Sequence, residues 1–178
     1  MKLADALAEH GLLLLQDKKL PNAVTVITGE RCSGSWWSHP RAHEIFRALE
    51  ELAPIALATK LIARKVTYVH KKFWPALAAV GRGREPWQMR GLSAGAKRLL
   101  ARIDREGSVQ ASGAASKELQ ERLLVRAREV HTESGHHETL LDSWPSSPLT
   151  PAEARRRLES AAEAIGAPLE VLPWRRAR

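Results

Sequence analysis

The sequence contains a single cysteine, Cys32, among 178 residues. One cysteine cannot form an intrachain disulfide, and it cannot supply a zinc site built from several thiolates. We therefore expect a reducing compartment, and specifically the cytoplasm. Long apolar runs are also missing, since the run from Leu12 to Leu15 is four residues long and the N-terminal segment carries Asp5 and Glu9. Neither a signal peptide nor a membrane span is predicted, and no membrane partner is expected.

Motifs for nucleoside triphosphates and dinucleotides are absent as well. Neither GxxxxGK[ST] nor GxGxxG occurs, and the segment Gly81 to Arg84 is too short to form a phosphate loop by itself. The segment His131 to Glu138 contains metal-ligand residue types, but alternation along an extended arm sends His136 and His137 to opposite faces. We therefore predict no metal and no cofactor, and we expect Cys32 to be a small loop residue rather than a nucleophile.

Positive charge, by contrast, is plentiful and is concentrated in one part of the chain. Between Lys60 and Arg105, twelve basic residues stand against two acidic ones, a net charge of +10, whereas the whole chain has +8. Clustered cations attract a polyanion when they share a surface, so nucleic acid is the predicted partner, and DNA is favoured over RNA. Tyr68, Phe73, Trp74 and Trp87 lie among these cations and are flat groups on which an unpaired base could stack.

The apolar residues follow both strand and helix periods. Leu12 to Leu15 and Ala23 to Thr28 suit two strands, and Ile55 to Ile62 with Lys65 to His70 suits a hairpin. Amphipathic patterns predict helices at about residues 2–9, 40–54, 72–80, 93–105, 116–127 and 150–165. We therefore predict a mixed α/β (α+β) fold in which a small antiparallel sheet packs with helices.

The stretch from Ser93 to Trp144 has a distinctive order of predicted elements: a helix, the short strand Ser108 to Ala111, a helix, and two extended arms about Ser134-Gly135. This order resembles that of a winged-helix unit, with one helix rather than two between the short strand and the hairpin. The predicted parts are an α/β part with a Trp-rich loop (1–92), a winged-helix-like part (93–144), a C-terminal helix (150–166) and a basic tail (167–178). Together they are expected to form one compact unit.

The loop from Glu30 to His39 has the most unusual local composition. The small residues Ser33 to Ser35 stand beside Trp36 and Trp37, and glycine permits close approach of the backbone to a flat or phosphorylated group. This loop is therefore a candidate pocket for an unstacked base. The alternative is that both tryptophans plug the open end of the hydrophobic core.

If this loop lies across the predicted hairpin, several basic residues converge into a cationic pocket: Arg31, His39, Lys60, Lys65 and His70. A base-excising enzyme would need a carboxylate or an activated amine beside such a pocket. Glu30, His39 and Lys60 are the candidate catalytic residues. The candidate nucleic-acid-binding residues are Arg31, Trp36, Trp37, Lys65, His70, Lys71, Lys72, Arg98, Arg102 and Arg105.

The last three of these arginines recur on one side of a predicted helix, which makes them a row that can face phosphates. The sequence thus favours a protein that holds nucleic acid, with DNA preferred to RNA, by its phosphates. Such a protein would examine an unstacked base near Trp36 and Trp37 in repair or processing. One alternative is a metal-independent enzyme such as a DNA glycosylase or another hydrolase. Another is a protein-interaction module for an acidic partner. The oligomeric state is not predicted.

Overall fold

The structure, a computed structural model, describes residues 2–31, 33–131 and 137–176. Helices and strands follow one another in the order α1 Leu3–His10, β1 Leu12–Leu14, α2 Ala23–Thr28, α3 Ala42–Glu50, β2 Ala56–Ile62, β3 Lys65–His70, α4 Trp74–Arg82, α5 Pro86–Met89, α6 Ala94–Glu106, β4 Ser108–Gln110, α7 Gly113–Glu121, β5 Arg126–His131, β6 His137–Asp142 and α8 Pro151–Ala164. Short 3-10 turns cover Trp36–Ser38, Lys71–Phe73 and Leu169–Val171. None of the described helices is both long and apolar enough to cross a membrane.

The first sheet has the antiparallel strand order β1-β3-β2. The predicted β2-β3 hairpin is confirmed, and its tight turn places the non-glycine residues Ala63 and Arg64 at φ angles of 51° and 59°. Both values lie in the left-handed region that this kind of hairpin turn requires. Strand β2 lies at the edge of the sheet. The main-chain groups on its outer side therefore have no strand partner in this sheet among the described residues.

The second sheet has the antiparallel strand order β4-β6-β5. One helix, α7, lies between β4 and β5, as the sequence predicted, and the likeness of this part to a winged-helix unit remains a prediction. Helix α7 ends at Glu121 rather than near Ala127 because the chain turns through Leu123, whose φ is 55°. The mixed fold of helices and small antiparallel sheets predicted from the sequence is confirmed.

The segment Ala23–Thr28 is a helix, so the strand predicted there is wrong. The Asn22 side chain accepts a hydrogen bond from the Thr25 N–H at 3.0 Å and caps the helix. Gly29, with a φ of 80°, ends it one residue after Thr28. Caps at both ends therefore outweigh the strand preference of the β-branched residues between them.

Four apolar clusters lie among the described residues, and three of them join the sheets to the helices. Sheet one packs on α4 and α8 through residues such as Val69, Leu77 and Leu158, and its other face packs on α1 and α3. A separate cluster, which includes Ile103 and Leu141, joins α6 and α7 to sheet two. Burial of this much apolar surface is the main stabilising contribution to such a fold.

Trp144, which follows β6, belongs to the first cluster. The residue is 4% exposed, and its Nε1–H donates to the Leu123 carbonyl at 2.8 Å. The predicted basic tail also packs against the body of the protein in its described part. Trp174 Nε1–H donates to the Glu159 carboxylate at 2.7 Å, and Arg175 Nε–H donates to the same oxygen at 2.8 Å. The last residues, 177–178, lie outside the described residues.

Candidate nucleic-acid interface

A cleft of about 890 Å³ opens between the two sheets. Its walls come from the edge strands β2 and β5, from α3, and from the 3-10 turn Trp36–Ser38. Most of the lining is apolar and aromatic, and the polar lining includes Lys60, Tyr68, Arg126 and Arg128. A mainly apolar cavity of this size with a few polar groups is typical of a small-ligand site.

The two adjacent tryptophans both line the cleft, but they differ in how deeply they are buried. Trp36 is 9% exposed and packs with Val24 and Ile45, whereas Trp37 is 62% exposed. Their rings are stacked, with centroids 3.9 Å apart and an interplanar angle of 27°, and the Phe46 ring lies 5.9 Å from that of Trp37. Trp36 thus anchors the loop, as the core alternative predicted, while Trp37 presents aromatic surface at the cleft.

Hydrogen bonds at the start of α3 fix this loop. The Arg41 guanidinium donates to the Thr28 carbonyl at 3.0 Å, which ties α3 to the end of α2. His39 Nδ1 accepts from the Arg41 main-chain N–H at 3.0 Å, and Glu44 binds the Arg41 guanidinium. The hydrogen bond with Glu44 raises the pKa of Arg41, and this effect outweighs the opposing effect of burial. These hydrogen bonds therefore fix the position of the loop that carries Trp36 and Trp37.

The structure does not bring all three candidate catalytic residues to one place. Glu30 Oε1 lies 3.6 Å from His39 Nε2, and the Glu30 side chain is exposed whereas that of His39 is largely buried. Neither residue lines the cleft, but Lys60 does. The hydrogen bond at Nδ1 gives His39 a capping role before α3. Of the three candidates, only Lys60 is placed where a ligand in the cleft could touch it.

The predicted cationic pocket fails for Lys65 and His70. These residues lie at opposite ends of β3, and five strand steps separate them by about 16 Å. The Lys65 ammonium instead binds Asp17 Oδ2 at 2.7 Å. Burial alone would raise the pKa of Asp17, but hydrogen bonds from the Leu20 N–H, the Lys65 ammonium and the Lys19 N–H lower it to about 2. Lys65 therefore has a structural role through its ion pair with Asp17.

His70 and its neighbours make local contacts at the other end of β3. His70 Nδ1 accepts from the Lys72 N–H at 3.3 Å. Burial lowers the pKa of His70, and the charges of Lys72 and Lys71 lower it further. The Lys72 ammonium donates to the Ala8 carbonyl at 2.8 Å and lies 5.5 Å from the centre of the Phe73 ring. Lys71 is exposed, and none of these residues lines the cleft.

The exposed face of α6 carries the predicted row of arginines, although part of its charge is paired. Arg102 Nε donates to Glu106 at 3.0 Å, and an Arg105 Nη lies 3.8 Å from the same carboxylate. Lys97 and Arg98 are exposed and have no ion-pair partner among the described residues. The helix therefore retains a net positive outer face. Arg31, also a candidate, is exposed in the loop before Trp36.

Sequence reasoning missed a pair of arginines on β5. Arg126 Nη2 lies 3.1 Å from Asp142 Oδ2, and Arg128 Nε donates to the same oxygen at 2.5 Å. Ser108 Oγ–H donates to the other oxygen, Oδ1, at 2.6 Å. Burial alone would raise the pKa of Asp142, but the hydrogen bonds from Arg128, Ser108 and Arg126 lower it, so the carboxylate stays ionised.

Tyr68 adds a neutral hydroxyl to the cleft wall. Burial raises the pKa of Tyr68 to about 12, so the group remains a protonated donor and acceptor at physiological pH. Trp74 also lines the cleft, and its Nε1–H is already used by the Val69 carbonyl at 3.1 Å. The cleft can therefore offer aromatic faces, a phenol, cations and strand-edge main chain to one ligand.

No cluster of three or more potential metal ligands occurs among residues 2–31, 33–131 and 137–176. The histidine-rich segment considered above falls largely outside these residues, since 132–136 are not described, and the same holds for Cys32. The cleft is lined by cations and aromatic rings, and also by the carboxylates Glu50 and Glu129. Its cations and aromatic rings suit anionic or flat organic ligands.

The site thus belongs to a mixed α/β protein in which two small sheets border an aromatic, partly cationic cleft. No family model matches the chain, and no curated protein matches it in sequence. A solved structure with a similar fold is that of Streptomyces sahachiroi DNA glycosylase AlkZ, with a TM-score of 0.51 and 14% sequence identity. The match covers 94% of this chain and 52% of the glycosylase, so the chain spans about half the length of that protein. At this identity the likeness shows the fold.

Proposed function

We propose that this protein binds DNA and holds an unstacked base in the cleft beside Trp37, in a repair or processing role. The observation that carries the proposal is the exposed Trp37 ring at a cleft that Lys60, Arg126 and Arg128 also line. An aromatic face stacks on any base, and the cations attract the adjoining phosphates. The similar fold of a DNA glycosylase supports DNA over RNA as the nucleic acid.

The outer face of α6 is proposed to contact the phosphate backbone beyond the cleft. Lys97 and Arg98 have no ion-pair partner among the described residues, and Arg102 and Arg105 share one carboxylate, that of Glu106. This arrangement leaves excess positive charge on an exposed helix. Phosphate contacts of this kind supply affinity without reading sequence. The single cysteine of the sequence fits the further proposal that the protein works in the cytoplasm.

A salt titration tests the binding proposal. Fluorescence anisotropy of labelled single-stranded and duplex DNA and RNA is expected to show that log K falls linearly with log salt, by about 0.7 to 0.9 per phosphate contacted. The double variant Lys97→Gln/Arg98→Gln should reduce that slope on duplex DNA by about 2. A control is Lys117→Gln, because Lys117 already lies 3.9 Å from Glu121. Absence of salt-sensitive binding to every oligonucleotide would refute the proposal.

A second candidate function is base excision by a metal-independent glycosylase. Lys60 favours it, because an amine in the same cleft as Trp37 could act on a bound nucleotide. If the protein turns over substrate, Lys60→Ala should abolish release of the base, whereas Glu30→Gln should retain it because Glu30 lies outside the cleft. Both variants should bind DNA and melt like the parent protein. If the protein binds damaged duplexes but does not turn them over, the glycosylase hypothesis is refuted and the DNA-binding proposal stands.

A further inference from the structure

The β5 arginine pair, Arg126 and Arg128, carries more positive charge than its protein partners balance. Two guanidinium groups share one carboxylate, that of Asp142, whose second oxygen is also used by Ser108. Each guanidinium has five N–H donors, and the bonds to Asp142 occupy only some of them. The buried Arg126 Nε–H has no hydrogen-bond partner among the described residues. Within the described part of the chain, the hydrogen-bond donors of the pair are therefore incompletely satisfied.

The positions of these side chains place the surplus charge at the cleft. Arg126 and Arg128 are two residues apart on an edge strand, so they extend from the same face of β5. The intervening Ala127 faces the other way, into the core that includes Leu141. Both arginines line the cleft, with side chains 35% and 50% exposed, whereas the Asp142 side chain is 7% exposed. The largely buried Asp142 carboxylate thus positions the two more exposed guanidinium groups.

The other charged residues that line the cleft are Lys60 on β2, Glu50 on α3 and Glu129 on β5. Glu129 lies on β5, but alternation puts it on the opposite face from the arginine pair, where it accepts a hydrogen bond from Thr139 at 3.2 Å. The carboxylate bound directly to the pair is therefore that of Asp142.

We propose that Arg126 and Arg128 bind the phosphate of the nucleotide whose base stacks beside Trp37. This inference rests on the proposed function and makes it more specific: the cleft takes a nucleotide, and it discriminates against the free base and the nucleoside. Arginine suits this role because its planar fork donates two parallel hydrogen bonds to a phosphate. The cleft volume of about 890 Å³ falls within the range typical of small-ligand pockets.

Competition experiments on the full chain test this inference. Deoxyadenosine and its 3′- and 5′-monophosphates are titrated against a labelled single-stranded oligonucleotide. At least one monophosphate is expected to compete about 10- to 100-fold better than the nucleoside, the range expected for charge-assisted hydrogen bonds. Arg126→Gln and Arg128→Gln should each remove most of that preference while the affinity for the nucleoside stays unchanged.

The matched control is Arg175→Gln. Arg175 is also about half exposed and pairs with one largely buried carboxylate, Glu159, but it lies outside the cleft. This variant should keep the full preference for the monophosphate. If Arg126→Gln fails to fold, Arg128→Gln decides the matter, since the Arg128 side chain is 50% exposed.

The outcomes separate the two proposals. Equal competition by nucleoside and monophosphates, with the oligonucleotide still bound, would overturn the phosphate site alone. A preference that survives in both arginine variants would overturn it as well. Failure of the oligonucleotide to bind at any salt concentration would overturn the proposed function together with this inference.

Discussion

The most informative single substitution is Trp37→Ala, because Trp37 contributes little to the core and much to the cleft. Its side chain is 62% exposed, and its ring contacts are with Trp36 and Phe46. Aromatic pairs of this kind contribute about 0.5 to 1.5 kcal/mol each beyond their buried area. We therefore expect a modest loss of stability, and the fold should remain intact.

The effect of Trp37→Ala on DNA binding is expected to be larger than this loss of stability would suggest. Stacking of one base on one aromatic ring is worth about 1 to 3 kcal/mol. A protein that uses Trp37 as its platform should therefore bind single-stranded DNA about 5- to 150-fold more weakly when the ring is removed. The salt dependence of log K should stay the same, since no phosphate contact is lost.

The assay is anisotropy of a labelled single-stranded oligonucleotide with parent and variant proteins at several salt concentrations. Trp37→Phe should recover most of the affinity, because it restores a stacking ring. Trp174→Ala is the control, since Trp174 lies outside the cleft, 5.9 Å from the Trp87 ring, and binds Glu159. Unchanged affinity of the folded Trp37→Ala variant would refute the role of this ring.

Two further predictions concern stability. Gly81→Ala should lower the free energy of unfolding by about 1 to 3 kcal/mol or more in chemical denaturation, because the new Cβ would overlap the Trp144 indole. Gly95→Ala, whose Cβ meets nothing closer than 3.8 Å, should instead stabilise α6 by about 0.5 to 1 kcal/mol. If Gly95→Ala were the less stable of the two variants, the packing around Gly81 would be contradicted. The pKa of Asp17 is about 2 in the folded protein and 3.8 without its partners, so its ionised form stabilises the fold above pH 4, and this contribution, about 2 kcal/mol, is lost as the pH falls towards 2. Asp17→Asn should abolish that part of the pH dependence in acid unfolding curves, and an unchanged curve would show that ionised Asp17 does not stabilise the fold.

Elements with strong local signals were predictable from sequence. Thr150 and Glu153 form the capping box that starts α8, and Ser93 caps α6 by accepting from the Ala96 N–H at 3.1 Å. By contrast, the six residues of α2 are rich in β-branched side chains, and this composition wrongly predicts a strand. Their helical state depends on the cap from Asn22, which the apolar pattern alone does not reveal.

The candidate site was predictable only in part. An adjacent tryptophan pair in a loop is unusual enough to mark Trp37, and the strand period placed Lys60 on the neighbouring hairpin. Arg126 and Arg128 lie outside the basic segment from Lys60 to Arg105, and their partner Asp142 is 16 and 14 residues away along the chain. Only the pairing of β5 with β6 brings these groups together. Alternate arginines on a strand were the one available signal.

Photo-crosslinking tests most directly whether DNA enters the cleft. A single-stranded oligonucleotide that carries one 5-iodouracil is irradiated with the full-length protein, and the adduct is located by peptide mass spectrometry. We expect crosslinks at Trp37 and at Phe46 or Tyr68, which line the same cleft, and we expect unlabelled oligonucleotide to abolish them. Competed crosslinks confined to residues outside the cleft would contradict it.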